Sequence, residues 1–330
     1  MRRIPKTSSL VTTALIVVLA VLSLFLPPEW KIILYLFFIW LVLTANFDVM
    51  GGFLGYVTLA QGAFFGIGAY VSVILINLLH TPLVGIGVTQ TFVTLAAGVA
   101  SGLFAALLAL PLFRLRGIYF TIGTLVLIYL LQQLALNLSE ITGGSYGLFV
   151  PPEYFLSLTA ACEAVFGLAL VSLGFNLYLS GSKLGLAFGS IRQDEEAASS
   201  LGLNPMKYKV LAFILSSIPT GFTGAIFALN AGFVDIGTSL EVMRSLMPAL
   251  MALVGGTGLV LGPVLGVLII RLIDVAFFHY IVFPISPMIF YGLILLGVAL
   301  LMPAGVLNSS HVNLTVSWIK GKILLQRKGI

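Results

Sequence analysis

The sequence predicts an all-α protein, a polytopic transmembrane bundle of about ten membrane-embedded segments, some of them short or broken. Three observations predict it. Of 330 residues, 60% are hydrophobic and only 8% charged, with a mean hydropathy of +1.15. No soluble domain of that composition could cover its surface. Apolar runs of spanning length recur along the chain, separated by short turns rich in Pro, Gly or charge. Finally, most basic residues can be placed on one side of a membrane and most loop acids on the other.

The same composition excludes several classes. The single cysteine, Cys162, rules out an internal disulfide framework, and no Cys/His cluster offers a metal site. His80, His279 and His311 are scattered at span ends and read as interfacial residues. The net charge of +5 does not point to nucleic acid, because its distribution follows membrane topology. There is no G-x-x-x-x-G-K-[ST], so the chain cannot cradle ATP in a P-loop and binds no cofactor of its own. No nucleophile, base and orienter share a plausible pocket, so it is not read as an enzyme. All of 1–330 reads as one transmembrane domain.

Taken in order, MRRIPKTSS precedes an apolar span from about Leu10 to Leu26, read as uncleaved because no A-x-A site follows. Pro27-Pro28-Glu29 turns the chain, and Lys31 to Phe47 crosses back, with Asn46 and Asp48 expected at the span end. The stretch GGFLGYVTLAQGAFFGIGAY, Gly51 to Tyr70, is rich in glycine, and Gly62 with Gly66 forms a GxxxG pair suited to close helix packing. Thr58 and Gln61 are polar groups that hydrocarbon would penalise, so they are expected to face protein or a cavity. A turn at His80-Thr81-Pro82 leads to a span from Thr91 to Phe113, then to the basic turn Arg114 to Gly117. The next span, Gly117 to Asn137, carries Tyr119, Thr121, Thr124, Gln132 and Gln133, an unusual polar load. Together Thr58, Gln61, Tyr119, Thr121 and Thr124 are the candidate solute path.

Glu140 to Glu153 reads as a loop on the far side, and Ala160 to Leu179 crosses back. The polar run Ser182 to Lys209 then interrupts the apolar sequence. Ser190 and Gln193 have capping-box spacing, so a helix over 190–201 is expected, ended by Gly202 and Asn204-Pro205. A helix leashed between two spans is suited to docking a partner. After Lys209 a span runs to Asn230; Asp235 to Arg244 is polar; and Leu246 to Leu253 is too short to cross. Gly255, Gly256 and Gly258 break that segment, and such breaks at membrane depth persist only where protein or water satisfies the freed backbone. A second half resumes from about Val264 to Phe278, in which Arg271 and Asp274 are spaced to pair, and Ile285 to Leu301 makes the last crossing. Arg2, Arg3, Lys6, Arg114, Arg116, Lys183, Arg192, Lys207, Lys209, Lys320, Lys322, Arg327 and Lys328 can then share one side, with Glu29, Glu140, Glu153, Asp235 and Glu241 opposite. This arrangement puts both termini in the cytoplasm.

Several blocks, in order, resemble the branched-chain amino acid ABC transporter permease family. Gly52, Gly55, Leu59, Phe64, Gly66, Gly68, Ala69 and Tyr70 match one signature, although Thr58 and Ala60 replace its usual serine and glycine. RLRGIYF with Thr124-Leu125, the loop TGGSYGL, KVLAFILSSIPTGFTGAIFAL and GGTGLVLGPVLG are similar to four more. Glu196-Ala197-Ala198 followed by Gly202 resembles the E-A-A-x-x-x-G loop with which ABC importer permeases dock on their ATPase. The resemblance implies an inner-membrane subunit, with Arg192, Glu195, Glu196, Ala197, Ala198 and Gly202 in ATPase coupling. It implies a second related permease, two cytoplasmic ATPase subunits that use ATP and Mg, and an extracytoplasmic binding protein. The implied cargo is branched-chain or other hydrophobic amino acids; urea, short amides or other small polar solutes are the alternative within the family. A rival of another class is an ion-coupled secondary transporter, which would need intramembrane carboxylates. Only Asp48, Glu163 and Asp274 come near a span, none at its centre.

Overall fold

The computed structural model describes residues 27–79 and 85–275, with 292–293 and 296–297 beyond them. The expected first span, the turn at 80–82, the segment after 275 and the last crossing lie outside the described residues, and the total of about ten goes with them. Among the described residues, six helices are long and apolar enough to cross a membrane.

Helix α1 (Pro28–Asp48) starts with a proline in its first turn, where no N–H is needed. It runs directly into a π-helical turn, Val49–Leu54, which Gly55 ends in the left-handed region at φ 84°. The glycine-rich stretch is therefore not one helix. Residues 55–60 are an irregular linker, and α2 (Gln61–Leu79) begins after it. Helices α3 (Ile86–Leu112) and α4 (Ile118–Asn137) are joined by the basic turn. After α4, Ser139–Thr142 makes a single turn, and Leu148–Phe149 (β1) pairs antiparallel with Phe233–Val234 (β2). Helix α5 (Leu158–Gly181) leads to the loop helices α6 (Lys183–Gln193) and α7 (Glu195–Ser200). Helix α8 (Pro205–Ala231) follows, then α9 (Met243–Gly255) and α10 (Gly262–Asp274). At 13 residues α9 is about 20 Å long, short of the ~30 Å hydrocarbon core, as its sequence suggests.

Helix α8 is the hub of one half, packed along α2 and α3. The crossing is close because Gly68 and Gly221 lack side chains: a Cβ on Gly68 would lie 2.0 Å from the Gly221 carbonyl oxygen. Backbones this near exchange dispersion contacts that larger residues would forbid. Phe64, Phe113, Phe120 and Phe213 stack edge and face at the core of this half. In the other half α1 packs on α5, and the α9–α10 hairpin lies against α1. Phe38, Leu41, Val165, Met251 and Val267 are buried there. Helix α4 is peripheral and leaves a broad face uncovered.

Asn46 and Asp48 are not at a span end. Both are buried inside one continuous run, Glu29–Leu54, because the π-turn carries the helix on past them. Asn46 donates to Ser172 Oγ at 3.3 Å, and Asp48 Oδ1 accepts from the Gly258 N–H at 2.8 Å. The Arg271–Asp274 ion pair is formed.

Candidate functional site

The polar loop and the linker 55–60 meet on one face of the bundle, called here the loop face. Ser182 caps α6 through the Gly185 N–H, and Asp194 caps α7 by accepting from the N–H groups of Glu196 and Ala197 at 2.9 and 3.0 Å. The expected single helix is thus two. Ser190 caps nothing: its hydroxyl donates to the Leu186 carbonyl within α6, while Asp194, in extended backbone, is the better cap and breaks the helix. Gly202, at φ 86°, ends α7, and Asn204 caps α8 through the Lys207 N–H.

Three of the six expected coupling residues contact the body of the chain, Ala198 buried, Glu195 half-buried and Arg192 exposed. Arg192 donates to the Gly52 carbonyl and lies against Gly55 and Gly258. Glu195 accepts from Lys209 Nζ at 2.6 Å and from the Tyr56 hydroxyl at 2.5 Å, with the Lys209 ammonium 4.4 Å over the Tyr56 ring. Ala198, 2% exposed, packs into the chain's own core instead of offering a flat docking face. Burial pushes the Glu195 carboxyl up, but the hydrogen bonds from Lys209 and Tyr56, together with the positive charges of Lys209 and Arg116, outweigh it and hold the carboxyl below its ordinary value. Burial, and then the bond to Glu195, push the Tyr56 hydroxyl up.

Glu196, Ala197 and Gly202 remain on the outer surface, beside Leu201, which is 82% exposed. In the sequence Leu201 is only the last residue of the expected helix over 190–201, with nothing to show which way it faces. Lys209, Tyr56 and Gly52 escaped the sequence reading because their partners are 14, 139 and 140 residues away.

The helix break at 256–261 sits at the tip of the α9–α10 hairpin, against this same cluster. Gly256 has φ 111° and Gly258 φ 76°. A Cβ on Gly52 would lie 2.0 Å from Asp48 Oδ1 and 2.3 Å from the Gly258 nitrogen, so only glycine lets the π-turn and the hairpin tip touch. Asp48 ties the two, and Arg192 joins the loop to them. Gly255 packs on the Gly262 carbonyl inside the hairpin.

The expected solute-path residues separate into two groups. Thr58, Gln61 and Thr124 are buried at the linker. Thr124 Oγ1 accepts from the Leu59 N–H at 3.0 Å, Thr121 donates to the Val57 carbonyl at 2.9 Å, and Thr220 donates to Gln61 Oε1 at 2.8 Å. Thr58 Oγ1 accepts from the Ala60 N–H at 3.3 Å. These groups hold irregular backbone at the end of a span, where its N–H and C=O groups lack helical partners. Gly62 donates its N–H to Ser245 Oγ at 3.1 Å, and Gly66 admits Leu240, so this pair seats the start of α9 and the segment before it. Tyr119 is apart from them all, 71% exposed on the outward face of α4.

The family profile described as "Branched-chain amino acid transport system / permease component" matches residues 30–303. The chain is 31% identical over 254 residues to the high-affinity branched-chain amino acid transport system permease protein LivM of Salmonella typhimurium, covering 67% of this chain and 57% of that protein. It is 32% identical to LivM of Escherichia coli K12 over 249 residues, with the same coverage. LivH of Escherichia coli K12, a permease protein of the transport system with the same description, is 21% identical over 294 residues, 82% of this chain and 92% of its own. The matched region thus spans little more than half the length of the LivM proteins. No solved structure matches. The profile covers most of the chain, including the loop, the linker and the broken hairpin, and the chain belongs to the family of branched-chain amino acid transport permease components.

Proposed function

We propose that this chain is the transmembrane permease subunit of an ATP-driven ABC importer for branched-chain or other hydrophobic amino acids. It would sit in the inner membrane with both termini in the cytoplasm. It would work with a second permease, two ATPase subunits that bind ATP and Mg, and an extracytoplasmic binding protein. The observation that carries the reading is the two-sided loop. Arg192, Glu195 and Ala198 bind the loop to α1, the linker and α8, while Glu196, Ala197, Leu201 and Gly202 stay free on its outer side. A partner that grips the outer side can therefore move three membrane elements through contacts already made. A loop that only reversed the chain would need neither set.

The basic residues Arg114, Arg116, Lys183, Lys207 and Arg192 lie on the loop side of the spans, which supports a cytoplasmic loop face. The identity of the family profile and of the LivM and LivH relatives supports the amino-acid cargo. Reconstitution in liposomes tests the reading. Leucine uptake should need ATP, the ATPase, the second permease and the binding protein together. Accumulation by this chain alone on an ion gradient would overturn it in favour of a secondary transporter, with buried Asp48 the first residue to replace.

A further inference from the structure

Two neighbouring spans expose very different surfaces. The outward stripe of α3 is Phe92, Leu95, Val99, Leu103, Leu107 and Leu110, all hydrocarbon. Its polar side chains are all used: Thr89, Thr91 and Thr94 donate to carbonyls one turn back, Gln90 to the Tyr154 carbonyl at 3.1 Å, and Ser101 to the Phe64 carbonyl at 3.0 Å. That face suits lipid.

The outward face of α4 carries Tyr119, Ile122, Val126, Tyr129 and Gln133 at 3-4-3-4 spacing, with Ile118, Leu130 and Leu134 exposed beside them, so polar groups are interleaved with hydrocarbon. Tyr129, 49% exposed, lies about 16 Å along the helix from Ile118, near mid-span. The side chains of Tyr119, Tyr129 and Gln133 make no hydrogen bond among the described residues, although Thr121, Thr124 and Gln132 on the inner side of the same helix all do. An unmade hydrogen bond in hydrocarbon costs a polar group several kcal/mol. Lipid is a poor environment for such a face, and water or a polar solute is a good one.

Resting on the proposed permease function, we infer that the Tyr119, Tyr129 and Gln133 stripe of α4 is one wall of the solute path, and that a second permease subunit supplies the other. Thr58 and Thr124, by contrast, are enclosed and bonded to the chain itself, and Gln61 is enclosed with its Oε1 held by Thr220 and its Nε2 unpaired among the described residues, so none of the three reaches an open surface. LivM and LivH, both similar to this chain, are two permease proteins described for one kind of transport system, which makes a related permease the occupant chosen for the second wall. The stripe runs from the loop face, beside exposed Val57, toward the far face, where Tyr146 is exposed, over a 20-residue helix about 30 Å long. No Asp, Glu, Lys or Arg occurs between Ile118 and Asn137. The wall therefore offers ring faces, hydroxyls and an amide, a chemistry that passes a solute with an apolar side chain and no net charge and repels a lone ion by desolvation.

The test places single cysteines in the assembled transporter in liposomes: Tyr129→Cys and Gln133→Cys on α4, Leu103→Cys and Leu107→Cys on α3. The unmodified chain is the blank, since its Cys162 is buried. A charged, water-soluble methanethiosulfonate should label both α4 cysteines and not the α3 pair; a lipid-soluble maleimide should label the α3 pair. Leucine should slow the α4 labelling severalfold, and labelling should cut uptake. If Tyr129→Cys does not assemble, Val126→Cys reads the same stripe. Labelling of α4 only by the maleimide would make it a lipid face, and labelling by neither would make it a closed protein interface; either overturns the inference. Labelling is read independently of cargo, so α4 cysteines that label as expected in an assembly whose unmodified form moves no leucine would count against the amino-acid reading alone.

Discussion

The polar groups of the linker and those of the α4 stripe have similar chemistry and opposite surroundings. Thr58, Gln61 and Thr124 are enclosed and bonded to backbone or to α8; Tyr129 and Gln133 face outward with side chains that bond to nothing among the described residues. The loop repeats the contrast over a few residues, with Ala198 buried and Ala197 exposed. In both places the enclosed member is structural and the outward member is available for function. A polar residue in a membrane span is therefore informative only once its partners are known.

The loop alanines give the largest expected difference. Ala198→Arg buries a charge with no partner and should cost the chain about 3–5 kcal/mol, or prevent folding, as seen by thermal melting of the purified protein. Ala197→Arg should leave melting unchanged and uncouple ATP hydrolysis from uptake in the assembly. Equal melting of the two variants would erase the contrast between the two sides of the loop.

The tie from Asp48 to the hairpin tip comes next. Asp48→Ala leaves the half-buried Gly258 N–H without its acceptor and should lower stability by about 1–3 kcal/mol, while Asp48→Asn, which keeps an acceptor oxygen, should lose less. Melting curves of the two variants beside the unmodified chain check this. If Asp48→Asn instead destabilised as much as Asp48→Ala, the carboxylate charge, not the hydrogen bond, would be what holds the tip.

Thr220→Val and Tyr129→Leu set the two membrane sites directly against each other. Removing the Thr220 hydroxyl from Gln61 should cost about 1 kcal/mol of stability with uptake retained. Tyr129→Leu should change stability by less than about 0.5 kcal/mol, as outward substitutions do, yet lower leucine uptake severalfold. A reversed pattern in paired melting and uptake measurements would put the solute at the linker.

The smallest effect concerns Glu195. Its carboxyl is held below the ordinary carboxylate value of 4.5, so its contribution to stability is complete above that pH and is lost as pH falls through the lowered value. The side chain is 38% exposed, and solvent screening keeps the contribution under about 1 kcal/mol. The melting temperature of the unmodified chain should exceed that of Glu195→Gln at pH 7, and the gap should close in acid. A gap that did not change with pH would assign the contact to packing against Tyr56.

The sequence alone determined the membrane class, the positions of the long spans among the described residues, the polar loop, the short segment before Gly255 and the Arg271–Asp274 pair. Each follows from local terms: hydropathy over spanning length, Gly and Pro at turns, charge beside spans, and neighbours three residues apart on a helix. Only the tertiary structure decided that Asp48 is enclosed, that the loop helix breaks at Asp194, and that Arg192, Glu195 and Ala198 contact the body of the chain. It alone separated the enclosed linker polars from the outward tyrosines of α4. Those outcomes depend on partners such as Gly258, Gly52, Tyr56 and Thr220, up to 210 residues away, and on which face of each helix its neighbours happen to cover. A nearly uniform apolar composition hides this, because in a membrane the lipid-facing and protein-facing sides of a helix can be equally oily, and periodicity then carries little record of what is buried.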